Sequence, residues 1–229
     1  MLRAIIFDMD GVICDSERLH MRAFQEVLSA EYIAVTDQEY YDKYLCHDDR
    51  GSFLAALNAH GRPAPDVKKM NALLSAKARA FDRFIKEHLV IYPGADVFVK
   101  KAAEKYPLAL ASGARRLEVE FVLKKAKIRD VFTAIVSADE VKNGKPQPEA
   151  FEYALQILNR MRLEGTPEIT PGETLVIEDS PRCIASARTL GMKTVGMATS
   201  YKPEELRGAD RVVDSLVGLE LKSLEGLFG

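Results

Sequence analysis

The amino-acid sequence predicts an α/β protein with a central parallel sheet and an inserted, all-helical domain. Short apolar runs separated by amphipathic stretches, the pattern of βαβ units, fill the chain after residue 92. A similar run opens the chain, but a long segment with helical periodicity separates it from the others. An insertion after the first strand of a parallel sheet explains this order.

Five strands of the sheet are predicted from their apolar runs. The first, Arg3–Phe7, stops at Asp8 and is followed by the turn residue Gly11. After Tyr92-Pro93-Gly94 come the other four, Leu108–Ala111, Ala134–Val136, Thr174–Ile177 and Thr194–Met197. The segment from Glu164 to Glu173 carries two Pro and two Gly and is predicted to be a loop.

The inserted domain is predicted from apolar residues that recur at helical spacing, such as Leu19, Ala23 and Phe24. No strand pattern interrupts them. We therefore expect an α/β core domain formed by residues 1–15 and 89–229, and a helical domain over residues 16–88.

Composition and charge exclude several classes of protein. The net charge is −2, without the basic stripe of a nucleic-acid-binding protein. The N-terminal run is broken by aspartates and no long apolar segment follows, so we expect neither a signal peptide nor a membrane span. Three widely spaced cysteines, Cys14, Cys46 and Cys183, make no disulfide framework or zinc site. We expect a cytoplasmic protein; the sequence does not fix its oligomeric state, and a monomer is the simpler expectation.

Carboxylates cluster at two predicted strand ends. Ligands of open parallel sheets bind outside the carboxyl ends of the strands. Asp8 and Asp10 lie two residues apart after the first strand and should face the same side. Glu178 and Asp179 follow a later strand and add oxygen ligands. Carboxylates this close are costly unless a cation or a proton neutralises them, which is a reason to expect a metal ion. An all-oxygen set suits Mg²⁺.

Two further strand ends carry groups that bind anions. Lys145, before Pro146, offers a point charge for a phosphate, and Ser112 with the Gly113 amide offers neutral donors beside a helix N-terminus. Taken singly, each feature has a structural explanation: a strand-end Asp can cap a helix, Lys-Pro is often an exposed turn, and Ser-Gly is often a loop. All four groups at successive strand ends favour a phosphate site.

The order DxDG, apolar run with Ser, Lys-Pro, and apolar run with Glu-Asp resembles the haloacid dehalogenase superfamily. FDMDGVICDSE and IEDS resemble its β-phosphoglucomutase-like subgroup. The resemblance covers nearly the whole chain and implies a Rossmannoid core with a helical cap domain. It also implies that Asp8 attacks phosphorus and that Asp10 is the general acid and base. Mg²⁺ would be held by the Asp8 carboxylate, the Asp10 backbone carbonyl, Glu178 and Asp179, while Ser112 and Lys145 would hold phosphoryl oxygens.

The resemblance also points to substrate contacts. His20 and Lys77 match cap residues of the mutases, although each is equally explained as a surface residue of a helix. Two positions depart from the mutase pattern: Leu45-Cys46 replaces Lys-Gly, and Ala114 replaces a serine. Arg50, Arg115 and Arg116 are the remaining candidates for a second anionic group.

Four functions are compatible with these residues. A mutase needs a second phosphate site, which is altered here, so a Mg²⁺-dependent phosphatase of a small phosphorylated metabolite, such as a sugar phosphate or sugar-acid phosphate, is the leading hypothesis. The alternative is a hexose-phosphate mutase of the β-phosphoglucomutase type. A dehalogenase needs no metal and is disfavoured by Asp10 and the Glu178-Asp179 pair. A silent phosphometabolite-binding protein on the same fold is disfavoured by the complete catalytic set.

Overall fold

The computed structural model describes residues 1–45 and 47–229, so Cys46 lies outside the described residues. The described chain divides into two compact units. The first comprises Met1–Asp15 and Val90–Gly229, and the second comprises Ser16–Leu89. The first unit carries all the described strands: β1 (Ala4–Phe7), β2 (Cys14–Asp15), β3 (Val90–Ile91), β4 (Leu108–Ala111), β5 (Phe132–Val136), β6 (Thr174–Glu178), β7 (Lys193–Met197) and β8 (Arg211–Val213).

Six of these strands form one parallel sheet in the order β5-β4-β1-β6-β7-β8. The central strand β1 pairs with β4 through Ile5 and Leu108, and with β6 through Phe7 and Ile177. This register aligns the carboxyl ends of β1 and β6. The separate pair β2-β3 is antiparallel, with Cys14 opposite Ile91.

Helices of the first unit are α5 (Ala95–Ala103), α6 (Arg116–Lys125), α7 (Glu149–Met161), α8 (Pro181–Thr189) and α9 (Leu221–Glu225). Alternate residues of β1 point to opposite faces of the sheet. Ile6 packs in a buried cluster with Phe151 and Leu158 of α7, whereas Phe7 makes edge contacts with Phe98 of α5 and Phe132 of β5. Apolar residues on both faces explain why the strand reads as an unbroken apolar run.

The predicted α/β class and parallel sheet are confirmed, with differences at the strand ends. All five predicted strands are present; β5 begins two residues earlier than predicted, at Phe132, and β6 includes Glu178. The sequence did not predict β2, β3 or β8. Each has only two or three residues, which is too short for an alternating pattern to show.

The second unit consists of α1 (Glu17–Ala30), α2 (Asp37–Lys43), α3 (Asp49–Ala59) and α4 (Val67–His88). Thr36, Asp48 and Asp66 cap the last three, each accepting from the backbone N–H three residues later. The unit has its own core of aromatic and aliphatic side chains around Phe24 and Phe53. Across both units, every described helix is too short or too polar to cross a membrane.

Candidate active site

Three carboxylates converge at the carboxyl ends of β1 and β6. Asp8 follows β1, Glu178 is the last residue of β6 and Asp179 comes next. Each contributes one oxygen to a group whose members all lie within 4.8 Å of one another. All three are buried, with Glu178 only 1% exposed. The pairing of β1 with β6, extended by the Asp8 N–H donating to the Ile177 carbonyl at 2.9 Å, brings them together.

The Lys145 ammonium joins two of these carboxylates. Its Nζ lies 2.8 Å from Asp8 Oδ1 and 2.6 Å from Glu178 Oε2. It also lies 4.9 Å above the ring of Phe151, in the helix that follows. Burial alone would lower the pKa of Lys145, but Asp8 and Glu178 outweigh it and raise the pKa above its usual value. Lys145 is therefore held as a cation against the Asp8 carboxylate.

One ammonium does not balance three carboxylates. Burial, together with the charge on Asp8, raises the pKa of Glu178 to about 7. Burial and the charges on Glu178 and Asp8 raise the pKa of Asp179 well above its usual value. Both shifts mean that burial and mutual repulsion oppose ionisation of all three carboxylates beside one ammonium. The cluster could therefore bind a metal ion, and its buried, all-oxygen donors fit a hard divalent cation.

Gly11 is needed for the turn that follows β1. Its φ of +77° lies in the left-handed region, and a Cβ there would overlap the Asp179 carboxylate. Asp10, beside it, is not one of the three clustered carboxylates. Its Oδ1 lies 3.8 Å from the Cys14 sulfur, and the side chain is half-buried.

Ser112 and Gly113 lie directly after β4, the other neighbour of β1. Ser112 is buried, and its hydroxyl accepts a hydrogen bond from the Ala114 N–H at 3.0 Å. Gly113 is exposed, with open space where a Cβ would lie. The sheet therefore places Ser112 and Gly113 at the same edge as Asp8.

The two arginines after this loop differ in their contacts. Arg115 is exposed and pairs with Glu118 on its own helix, at 2.6 Å. Arg116 reaches away from its helix: Nη1 donates to the Ile135 carbonyl at 3.1 Å, and Nε lies 3.3 Å from Glu140 Oε1.

The second unit brings His20 and Lys77 together. Lys77 is only 4% exposed, so it is not a surface residue of its helix. Its ammonium donates to the Asp49 carboxylate and lies 3.3 Å from His20 Nδ1. The His20 ring stacks on Phe81, with centroids 3.9 Å apart. Burial and the Lys77 charge lower the pKa of His20, which favours a neutral ring. Arg50, next to Asp49, is exposed.

Sequence reasoning missed three residues beside the carboxylates. The Thr199 hydroxyl donates to the Gly11 carbonyl at 2.6 Å. Ser200 hydrogen-bonds to Asp179, and Tyr92 hydrogen-bonds to Thr199. Thr199 and Ser200 closely follow β7, so the strand-end rule that identified Ser112 also applied to them. Tyr92 has no such signal, because β3 is only two residues long.

Comparison with known proteins gives a family. A family model described as haloacid dehalogenase-like hydrolase matches residues 5–197 of the chain. The chain is 28% identical over 234 residues to the protein CbbY of Cereibacter sphaeroides, covering 99% of this chain and 97% of that one. It is also 29% identical to the fructose-1-phosphate phosphatase YqaB of Escherichia coli, with 83% and 94% of the two chains covered.

Solved structures give the same fold. The β-phosphoglucomutase of Clostridium difficile superposes with a TM-score of 0.81 at 24% identity, covering 100% of this chain and 97% of that one. At that identity the similarity establishes the fold. The family and the β-phosphoglucomutase-like architecture predicted from the sequence motifs are thus confirmed.

Proposed function

We propose that this chain, which belongs to the haloacid dehalogenase-like hydrolase family, is a Mg²⁺-dependent phosphatase that forms an aspartyl-phosphate on Asp8. Its substrate is a small phosphorylated metabolite, a sugar phosphate or sugar-acid phosphate. The observation that carries the proposal is the environment of Asp8, a buried carboxylate with a lysine ammonium at 2.8 Å and two acidic side chains beside it. A purely structural ion pair does not require the further two carboxylates.

In this proposal the reaction has two steps, formation and hydrolysis of the aspartyl-phosphate. An Asp8 oxygen bonds to phosphorus as the ester P–O bond breaks, and Asp10 gives its proton to the departing alcohol. Water then attacks phosphorus and gives a proton to Asp10, and the bond to Asp8 breaks to release inorganic phosphate. Lys145, 2.8 Å away, orients the Asp8 carboxylate.

The metal site of the proposal consists of the Asp8 carboxylate, the Asp10 backbone carbonyl, Glu178 and Asp179. The clustered carboxylates support it because their charge exceeds that of Lys145. A bound Mg²⁺ supplies charge stabilisation for the transferring phosphoryl group. Ser112, the Gly113 amide and Lys145 hold phosphoryl oxygens.

Substrate selection is assigned to residues 16–88 acting as a cap domain, with residues 1–15 and 89–229 as the core. In this proposal His20, Lys77 and Arg50 contact the part of the substrate beyond the phosphate. Arg115 is a candidate for a second anionic group. Arg116 differs, because its guanidinium is already bound within the protein.

A hexose-phosphate mutase is the second candidate. The neighbouring His20 and Lys77 support it, and so does the shared fold with β-phosphoglucomutase. Ala114 opposes it, since a mutase must hold a bisphosphate through two phosphate sites and a hydroxyl is missing there.

The test is a phosphate-release screen over sugar phosphates, sugar-acid phosphates and nucleotides, with Mg²⁺ and with EDTA. We expect Mg²⁺-dependent release of inorganic phosphate from one of the first two groups. Isomerisation of a hexose 1-phosphate without phosphate release would instead establish the mutase. Absence of both activities, including on an aryl phosphate, would refute the proposal.

A further inference from the structure

Two loops at the carboxyl edge of the sheet are tied together. We call residues 112–115, after β4, the phosphate loop, and residues 137–140, after β5, the supporting loop. The Ala138 N–H donates to the Ala114 carbonyl at 2.9 Å. The Asp139 carboxylate accepts from the Arg116 N–H at 2.8 Å and so caps α6 from outside its own segment. The supporting loop therefore fixes both the middle of the phosphate loop and the start of α6.

Arg116 adds a third connection through its side chain. One guanidinium nitrogen donates to the Ile135 carbonyl in β5 at 3.1 Å, and another pairs with Glu140 at 3.3 Å. The planar guanidinium makes the two contacts through two different nitrogens, whereas a lysine would have to make both through one. These contacts also leave Arg116 committed within the protein.

Glu140 in turn organises the supporting loop. Its second oxygen accepts from the Ser137 N–H at 2.6 Å and from the Ser137 hydroxyl at 2.5 Å. Ser137 is fully buried. A continuous chain of contacts thus runs from buried Ser137 through Glu140 to Arg116, which is the first residue of α6 and directly follows the phosphate loop.

We propose that Arg116 and Glu140 are positioning residues, which hold Ser112 and the Gly113 amide in the geometry that binds the phosphoryl oxygens. The inference rests on the proposed phosphatase function. In this inference Arg116 supports the phosphate loop and does not bind a second anionic group of the substrate. Every phosphate monoester must then depend on Arg116 alike, whatever lies beyond its phosphate.

The primary experiment measures kcat and KM for an aryl phosphate and for a sugar bisphosphate in Arg116→Ala and Glu140→Gln. The equilibrium Kd of inorganic phosphate is measured on the same proteins. Displacement of the phosphate loop should lower kcat/KM roughly 10- to 100-fold for both substrates and weaken phosphate binding in parallel. Arg116→Lys, which can still pair with Glu140, should recover part of the loss. Glu140→Gln gives a second reading should Arg116→Ala fail to fold.

The matched control is Arg129→Ala. Arg129, which follows α6, pairs with Glu120 of that helix at 2.8 Å. Its side chain is about as exposed as that of Arg116. This ion pair does not involve the phosphate loop or the supporting loop. Its kcat/KM should stay within about twofold of wild type, because a partly exposed ion pair contributes little to stability. An equal loss in Arg129→Ala would reduce the Arg116 effect to general destabilisation of α6 and overturn the inference.

Combination with Ser112→Ala separates positioning from direct binding. If Arg116 acts through the phosphate loop, the double variant should lose scarcely more than Ser112→Ala alone. Additive losses, or a loss confined to the bisphosphate, would make Arg116 a substrate ligand and overturn the inference. Unchanged kinetics and unchanged phosphate affinity in Arg116→Ala would also overturn it. A wild-type protein that binds phosphate without turnover would refute the phosphatase alone. The positioning role of Arg116 and Glu140 would then be tested by the Kd of phosphate alone. If the wild-type protein does not bind phosphate, both the phosphatase function and the positioning role are refuted.

Discussion

At the scale of single residues, Asp8 has to be both buried and ionised. Burial favours the neutral acid, which is a poor nucleophile. The Lys145 ammonium, 2.8 Å from Asp8 Oδ1, places a positive charge directly against the carboxylate. Because Lys145 also holds Glu178 at 2.6 Å, one side chain sets the positions of two acidic groups.

Asp8→Asn should remove nearly all turnover while the protein stays folded. The amide keeps the shape of the side chain but loses the nucleophile and a metal ligand. Single-turnover phosphate release measures the chemistry, and thermal unfolding measures the fold. Substantial activity in a folded variant would contradict the assignment of Asp8.

Asp10→Asn should slow the reaction in a way that depends on the leaving group. It deletes a proton transfer worth roughly 10²- to 10⁴-fold while preserving the backbone carbonyl. A sugar phosphate, whose alkoxide needs that proton, should suffer most in its first step. An aryl phosphate, which leaves as a stable anion, should be relatively spared.

Single-turnover formation of the aspartyl-phosphate isolates this step from the later attack by water. Wild type with the same two substrates is the control. Equal losses for both leaving groups would show that Asp10 acts structurally or through the metal.

The sequence predicted that Asp8, Glu178 and Asp179 lie together because one rule, polar residues after buried strands, locates them. The rule does not locate Lys145, which was predicted at a strand end but lies well beyond the end of β5 at Val136.

The sequence could not predict the contacts of Lys77 with Asp49 and His20, because these join three separate helices. Spacing along a sequence defines which residues share one helix face, but not which helices meet.

At the scale of elements, the same limit applies to β8. A three-residue edge strand has no periodicity, and Arg211–Val213 is only half-buried. Its position is instead fixed by Asp210, the residue before it. The Asp210 carboxylate accepts from the Thr194 N–H at 2.9 Å and pairs with Arg188 at 2.9 Å and Lys193 at 3.2 Å.

Asp210→Asn should lower the free energy of unfolding by about 1–3 kcal/mol near neutral pH, because hydrogen bonds to a charged group are lost. Burial would raise the pKa of Asp210, but the Thr194 and Lys193 hydrogen bonds outweigh it and lower the pKa below the usual 3.8. The ionised carboxylate therefore contributes stability that is fully present above pH 3.8 and is lost as pH falls through the lower native pKa.

Urea unfolding of wild type and Asp210→Asn across pH 2 to 7 measures this difference, which should narrow at the acidic end. Asp214→Asn, at an exposed residue just after β8, is the matched control and should unfold like wild type. A difference that is constant with pH would show that the Asp210 charge does not tie β8 to the sheet.

At the scale of the whole molecule, charge is nearly balanced, with 34 acidic and 32 basic residues. The site is not balanced, because three carboxylates meet one ammonium. Repulsion among these carboxylates therefore destabilises the first unit, and the packing of its sheet must outweigh that cost. A cation that binds only the native arrangement relieves it and shifts the folding equilibrium of the whole chain.

Mg²⁺ should therefore raise the melting temperature of wild type, whereas Asp179→Asn should lose that response. At about 100 times its Kd, a ligand of the native state adds about 2.7 kcal/mol, or roughly 5–10 °C for a chain of this size. Without metal, Asp179→Asn should melt at or above the wild-type temperature, because one of the mutually repelling carboxylates is gone. Thermal scans in EDTA, in Mg²⁺, and in NaCl at matched ionic strength separate specific binding from screening. An equal rise in melting temperature with Mg²⁺ in both proteins would mean that the cation binds elsewhere. A much lower melting temperature of Asp179→Asn in the absence of metal would mean that Asp179 stabilises the turn at Gly11.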